Sequence, residues 1–277
     1  MVNFTVLASI YHKENYKNFN TCMESIWTYQ SLKPSEMILV EDGELTPELY
    51  KEIEFWSSKL GSILKIIKIK ENVGTGKAKN LGLQYCSHEI ICIVDTDDIC
   101  VENRFKLQLD YFKKHPEITI LGGQIIEFIE NINNSSGSRH VPEEHTALVK
   151  YAKKQSPFNN MTIAYKKEHI LNVGGYQHHL WMEDYNLFLR LIAVNYKLHN
   201  LNEVLVYARV DNGMHGRRKG LTYIKSEFQL MKTKINLQLQ SPLQAFIIFF
   251  LRSSVRLLPS KILASIYNGF LRKKVAK

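Results

Sequence analysis

"IICIVDTDDIC", Ile90 to Cys100, reads as two objects joined end to end: five consecutive apolar residues, then carboxylates at Asp95, Asp97 and Asp98. A buried strand cannot carry three unpartnered carboxylates into a core, because each would lose its hydration. They must sit at the mouth of the strand and share something positive. Hard oxygen ligands clustered in this way suit Mg²⁺ or Mn²⁺, held by one or two carboxylates and completed by the phosphates of a substrate. A helix cap offers a plainer use for Asp97 or Asp98, since a helix is expected to begin near Val101. One aspartate explains a cap; three do not.

Three earlier runs resemble this strand: "FTVLASI" (4–10), "MILVED" (37–42) and "LKIIKI" (64–69). Between them lie segments of helical period. Phe19, Cys22, Met23 and Ile26 share one face, Leu49, Ile53, Trp56 and Leu60 another, and a third helix runs from about Gly76 to Tyr85. Strands alternating with single helices specify βαβ units and a parallel sheet covered on both sides. Ligands of such sheets bind beyond the carboxyl ends of the strands. That rule points to Ser9–Tyr11, Glu41–Asp42, Asn72–Gly76 and Asp95–Asp98.

The third of these, "ENVGTGKAKNLGL" (71–83), imitates a triphosphate-gripping loop and fails at both ends. Counting back from Gly76-Lys77, the first glycine position holds Glu71, and the magnesium-binding hydroxyl position holds Ala78. A turn that feeds a helix can still hold an anion on its free N–H groups, with Lys77 and Lys79 adding charge. An ordinary turn with solvated lysines is the competing account.

The second half is less regular. A helix near 101–115, a strand near 118–129, a polar loop, helices near 143–154 and from Met182, and a strand near 198–207 are expected to extend the sheet and cover its edge. No internal repeat or long linker separates two domains.

Charge is unevenly placed. Seven of the 36 basic residues and none of the 27 acidic residues fall in 241–277, which leaves 29 against 27 in the body and argues against nucleic acid as a partner. The amino terminus lacks the basic start and apolar core of a signal peptide. The four cysteines show no metal-ligand spacing. A cytoplasmic, reducing setting is expected.

The order strand, "VEDG", strand, "NVGTGKAKNLGL", strand, "DTDD", followed by "MEDYNLFLRL", resembles glycosyltransferase family 2 of the GT-A fold, nearest to bacterial enzymes of surface-polysaccharide synthesis. The resemblance spans about Thr5 to Gly220. It implies an α/β catalytic domain over 1–220, with a Rossmann-like, mostly parallel sheet. Residues 1–115 would form the nucleotide-binding half and 116–220 the acceptor-binding half, with a helical tail over 221–277. It also implies a nucleotide-diphosphate sugar donor, by default a UDP-hexose, Mn²⁺ or Mg²⁺, and inversion at the anomeric carbon. By position, Ala8, Ser9, Tyr11 and Asp42 would meet the base and ribose, and Gly74, Lys79 and Asn80 would lie beside the nucleotide. Lys79 replaces a usual Arg, keeping the charge and losing the planar fork. Asp95 and Thr96 belong to the donor motif, with Asp97 or Asp98 as the direct metal ligand.

Inverting transfer needs a base for the acceptor hydroxyl. The family's acidic pair maps onto Glu183-Asp184, with Asp184 as the base, although acids in a first helical turn also suit the helix dipole. "NVGGY" places Gly175 near the donor and acceptor sugars, and Asn160 stands where relatives carry His. His178-His179 are expected at the surface or in an acceptor loop. "NGMHGRRKG" (212–220) offers Arg217 and Arg218 to the diphosphate, and by the resemblance His215 as a further metal ligand.

In the tail, Ala245 to Leu251 is a seven-residue apolar run, far short of the ~20 needed to span a bilayer. Ile262, Ile266 and Phe270 then recur at helical spacing among basic residues. Such a segment suits the inner, anionic face of the cell membrane, and a polyprenyl-diphosphate-linked saccharide as acceptor; packing on protein is the alternative. Two other functions compete: a haloacid-dehalogenase-type phosphatase or phosphotransferase using Asp95, and a non-catalytic nucleotide-sugar-binding membrane subunit.

Overall fold

The computed structural model describes residues 3–210 and 220–256. Its first half is built from β1 (Phe4–Ile10), α1 (Tyr16–Met23), β2 (Glu36–Asp42), α2 (Pro47–Leu60), β3 (Leu64–Ile69), α3 (Thr75–Tyr85) and β4 (Ile90–Asp95). The four strands lie parallel in the order β3-β2-β1-β4, as βαβ connections require. Their carboxyl ends therefore share one edge, and Ser9 stands directly opposite Asp95.

Side-chain alternation divides the core between the two faces of the sheet. Phe4, Val6, Ala8 and Ile10 join α1 and α2 on one face, while Leu7, Ile38, Ile91 and Ile93 meet α3 on the other. Helix α3 lies unusually close. A Cβ on Gly82 would fall 2.6 Å from Leu7 and 2.7 Å from Val40, so only glycine lets the helix seat there.

The second half comprises β5 (Ile99–Cys100), α4 (Arg104–Lys114), β6 (Ile118–Phe128), β7 (Ser135–Arg139), α5 (His145–Ala152), β8 (Ala164–Lys166), α6 (Lys167–Asn172), α7 (Glu183–Ala193) and β9 (Lys197–Arg209). It continues the sheet as β4-β8-β6-β9-β5, with β7 on β6. Strand β8 runs antiparallel to both neighbours and β6 pairs parallel with β9, so this half is mixed. The sheet is mostly parallel, as expected, with its short antiparallel pairings confined to strands of the second half and to β4 with β8.

Beneath the DTDD turn, the fully buried Arg104 donates to the Ile93 carbonyl at 2.7 Å and to Gln108 at 3.2 Å, bracing the end of β4 from below. All four cysteines are buried and unpaired.

Two more helices, α8 (Gly220–Asn236) and α9 (Pro242–Arg256), end the described residues. Glu227 on α8 takes a two-pronged contact from Arg252 on α9 at 2.6 and 2.8 Å, which joins the two helices. Arg252 also donates to the Lys154 carbonyl at 2.6 Å and Lys234 to the Lys153 carbonyl at 2.8 Å, which hold this part of the tail against the body. No helix among the described residues is long and apolar enough to cross a membrane. The expected helical repeat at Ile262, Ile266 and Phe270 lies outside the described residues, as do His215, Arg217 and Arg218.

Candidate active site

A cleft of about 470 Å³ opens where the strands end, with walls drawn from both halves of the chain. Ser9, Ile10 and Tyr11 leave β1, Asp42 leaves β2, Asn72, Gly74 and Thr75 form the β3–α3 turn, and Asp95, Thr96 and Asp97 leave β4. From the second half come Asn160, Trp181, Glu183 and Asp184. The acidic strand tip and the acidic first turn of α7 thus face one space, although about ninety residues separate them in the chain.

Asp42 binds the turn that forms the floor. Its carboxylate accepts from Val73 N at 2.7 Å, Gly74 N at 3.0 Å and Asn72 Nδ2 at 3.1 Å. Three donors on one carboxylate hold the start of α3 in place.

Lys79 is buried under the cleft and donates from Nζ to Asp95 Oδ1 at 2.8 Å. Burial is the largest single influence and lowers its pKa, but the charge and hydrogen bond of Asp95, together with Tyr176 and Glu183, outweigh it and raise the value, so Lys79 stays cationic. This pairing ties up the carboxylate that a phosphatase would need as its nucleophile. The Asp95 motif also ends the fourth strand, whereas haloacid-dehalogenase-type enzymes carry theirs on the first.

The two carboxylates expected to bear metal are placed differently. Asp97 lines the cleft, and burial together with the charges of Glu14 and Asp95 pushes its pKa up to about 7. Asp98 is buried and accepts from Arg209 N at 2.7 Å, so its side chain is turned into the fold and away from the cleft. Of the two residues expected as direct metal ligand, Asp98 is therefore withdrawn, and only Asp97 faces the cleft.

Among the described residues, no group of three or more His, Cys, Asp or Glu is arranged to hold a metal by itself. The donor set present, Asp97 with Glu14 and Asp95 near by, still fits a divalent cation that takes most of its ligands from substrate and water. These carboxylates repel one another, and a cation would relieve that repulsion.

Three other expected contacts are revised. Ala8 points into the core, because alternation along β1 turns it away from the opening, so Ser9 and Tyr11 carry that edge. Asn80 and Gly175 do not line the cleft. Asn80 Oδ1 accepts from Tyr176 N at 3.0 Å, and a Cβ on Gly175 (φ +62°) would stand 2.1 Å from that same oxygen. The pair locks the "NVGGY" turn onto α3 behind the site. His179, expected near the surface, is buried with Nε2 at 2.9 Å from the Ser226 carbonyl.

Glu183 and Asp184 begin α7. Burial and the neighbouring Asp184 raise the Glu183 pKa to about 7, and burial raises that of Asp184. Glu183 is thus poised to hold or accept a proton near neutrality, and Asp184 holds one more tightly than an exposed aspartate does.

Sequence reasoning missed Glu14 and Arg209. Glu14, raised by burial, lines the cleft and accepts from Thr96 Oγ1 at 2.8 Å. It follows β1 closely, so the strand-end rule would have reached it had the window run three residues further. Arg209, the last residue of β9, donates from Nε to the Asp97 carbonyl at 3.1 Å. Nothing local marks it, because its partners lie more than a hundred residues earlier.

The profile of Glycosyl transferase family 2 matches residues 6–180. The chain is 36% identical over 265 residues to the amylovoran biosynthesis glycosyltransferase AmsE of Erwinia amylovora, covering 96% of this chain and 98% of that one. It is 33% identical over 274 residues to a UDP-Gal:α-D-GlcNAc-diphosphoundecaprenol β-1,3-galactosyltransferase of Escherichia coli, covering 99% and 96%. Among solved structures, S. aureus TarS residues 1–349 in complex with UDP-GlcNAc superposes with a TM-score of 0.64 at 18% identity, over 91% of this chain and 72% of that one. The mannosyltransferase PcManGT of Pyrobaculum calidifontis, in complex with GDP-Man and Mn²⁺, gives 0.63 at 14% identity, over 96% and 79%. Likeness at that identity establishes the fold.

Proposed function

The chain belongs to glycosyl transferase family 2, and from that premise we propose an inverting, divalent-cation-dependent transfer of a hexose from a UDP-sugar to a lipid-linked saccharide in surface-polysaccharide synthesis. The observation that carries this reading is a single cleft with Asp95 and Asp97 on one wall and Asp184 on the other. Two opposed acidic groups divide the work. One side handles the leaving group's charge and the other the nucleophile's proton.

Asp97 would hold Mn²⁺ or Mg²⁺, which supplies charge neutralisation for the departing diphosphate. Asp95, fixed by Lys79, orients the donor ribose and keeps the buried lysine's charge beside the nucleotide. Ser9, Tyr11 and the loop pinned by Asp42 bound the base and ribose. Asp184 accepts the proton of the acceptor hydroxyl as that oxygen bonds to the anomeric carbon. The bond from that carbon to the diphosphate oxygen breaks on the opposite face, which inverts the centre. Arg217, Arg218 and His215 remain candidates for closing over the diphosphate, on family position alone.

The UDP donor and the lipid-linked acceptor are supported by what the E. coli relative's name states for that enzyme, and the cation by the Mn²⁺ bound to the archaeal neighbour. Residence at the inner membrane face is supported by the apolar, outward-facing side of α9. Phe246 and Phe250 are more than half exposed there.

The deciding experiment incubates the full chain with a panel of nucleotide sugars and Mn²⁺ or Mg²⁺ and follows free nucleotide diphosphate. Release that disappears in Asp97→Ala supports the reading. Donor binding without release from any sugar, with or without added lipid-linked acceptors, would instead favour a non-catalytic binding subunit. The membrane component is checked separately, by co-sedimentation with anionic liposomes of the wild type and a Phe246→Ser/Phe250→Ser double variant. Equal sedimentation would remove the role of α9.

A further inference from the structure

A second cavity, of about 270 Å³, is lined by Asp184 but not by Asp95 or Asp97. It shares Asn160, Trp181 and Asp184 with the cleft, so the two spaces meet at the proposed base. We infer that this cavity seats the diphosphate of a lipid-linked acceptor, held by Arg139, Arg252 and Arg256. The inference rests on the proposed function and adds to it a location for the second substrate.

Three observations converge on it. The first is charge. Arg139, Arg209, Arg252 and Arg256 line the cavity against Glu127 and Asp184, with Glu227 behind them. Among the residues that line the cavity, four guanidinium groups stand against two carboxylates, a surplus that suits an anion. Guanidinium forks match phosphate oxygens in pairs. Arg252 is held rigid by Glu227, Arg256 lies 3.5 Å from the same carboxylate and over the Tyr223 ring at 4.5 Å, and Arg139 is anchored on the Phe158 carbonyl at 2.9 Å. Binding would then cost little side-chain entropy.

The second observation is position. The donor's diphosphate belongs with Asp95 and Asp97, which line the cleft and not this cavity. An anion in the cavity must therefore belong to the molecule whose hydroxyl the base faces. At the junction, Asn160 Oδ1 is buried without a hydrogen-bond partner among the described residues, a vacant acceptor beside the reacting centre. Trp181, at φ +62°, stacks on Tyr223 at 5.4 Å and offers an aromatic wall to a sugar.

The third is continuity with an apolar surface. Helix α9, which turns Arg252 and Arg256 inward, exposes Phe246, Ile247 and Phe250 at 56, 49 and 63%. These recur at i, i+1 and i+4, one face of the helix. A headgroup in the cavity could run its hydrocarbon chain along that face.

Undecyl diphosphate, used below its micelle concentration, is the probe, because it carries the two diagnostic parts and no sugar. Calorimetric titration of the full wild-type chain should show saturable binding about tenfold or more tighter than for undecyl β-glucoside. UDP with Mg²⁺ should not displace it. Arg252→Lys and Arg256→Lys, which keep charge and lose the fork, should each weaken it about tenfold while UDP binding persists. Equal affinity for the uncharged glucoside would overturn the inference, leaving a merely greasy surface. So would displacement by UDP, which would hand the arginines to the donor. Both of these outcomes are measured on the wild type alone and do not depend on how the variants fold. Donor turnover without undecyl diphosphate binding strikes this inference only. Binding without any turnover strikes the proposed function beneath it.

Discussion

Asp184 and Glu183 are adjacent in sequence, yet the cleft treats them differently. Glu183 packs against the start of α3, where a Cβ on Gly76 would come within 3.0 Å of its Cγ, so that side chain is pinned to the donor wall. Asp184 reaches the junction of the two cavities and holds the Tyr185 N–H at 2.7 Å. Asp184→Asn keeps that shape and removes the basicity. Transfer should fall ~10²–10⁴-fold with donor affinity nearly unchanged, measured as nucleotide diphosphate released in the presence of acceptor. A general base must be ionised to act, and the pair's pKa values are raised, that of Glu183 to about 7. The wild-type rate should therefore climb with pH through that region and level off above it, as a property of the coupled pair. A rate independent of pH between 5.5 and 8.5, roughly the span over which such a pair titrates, would count against the assignment.

At the scale of elements, what holds the site is a set of turns locked by single contacts. The "NVGGY" turn is one. Gly175 combines a left-handed backbone with a side-chain position already filled by Asn80, and Arg190 Nη2 grips the Gly175 carbonyl at 2.6 Å. Gly175→Ala should cost roughly 1–3 kcal/mol in denaturant unfolding. Activity should fall further than the unfolded fraction explains, because the turn carries the chain into α7.

The other end of the sheet offers a contrast. Glu36 accepts from Lys65 at 2.7 Å, from Ser87 N at 2.7 Å and from Thr5 at 2.6 Å, joining three strands far from the cleft. Burial opposes its charge, but these donors prevail and hold its pKa down to about 2. Glu36→Gln should lose ~1–3 kcal/mol of stability, with specific activity of the folded protein unchanged.

These two cases show what the chain made legible. Strands β1, β2 and β4 announced themselves because both faces are buried, which writes near-continuous apolar runs. Strand β3, at the sheet's edge, shows the same run broken by the exposed Lys65 and Lys68, and the helices between the strands carry clear apolar stripes. Three-residue β8 and two-residue β5 are too short for any period to register, and their pairing is decided by β6 and β9. The site followed the same division. Strand ends could be named from a topological rule, whereas Arg209 and the inward turn of Asp98 depend on contacts across more than a hundred residues. Asn80 and Gly175 were expected beside the ligand, whereas Asn80 accepts from Tyr176 N and Gly175 is held by Arg190 and the Ile170 carbonyl.

For the molecule as a whole, the site is a liability to folding, and that liability has a definite sign. Burial raises the pKa of Glu14, Asp98 and Asp184, and raises those of Asp97 and Glu183 to about 7. The folded chain thus binds more protons than the unfolded one across the mildly acidic range. The stability that Asp97 and Glu183 contribute is present below their unfolded pKa values, near 4, and is lost as pH rises through about 7; Glu14, Asp98 and Asp184 act in the same direction. Glu36 works in the opposite sense, its contribution disappearing only as pH falls toward 2. Metal-free protein should therefore melt highest in mild acid and lose on the order of 2–4 °C on going to pH 8.

A cation seated on Asp97 would neutralise the crowding, so a few millimolar Mn²⁺ or Mg²⁺ should restore the melting temperature at pH 8 and do little at pH 5, where protons already occupy the site. Asp97→Asn should raise the metal-free melting temperature at pH 8 and abolish most of the cation's effect. Thermal scans of both proteins across pH, with and without the cation, measure the crowding and its relief together. A melting temperature that rises through pH 7 without metal would mean that the clustered carboxylates are already neutralised within the fold, leaving Asp97 no charge to share with a cation.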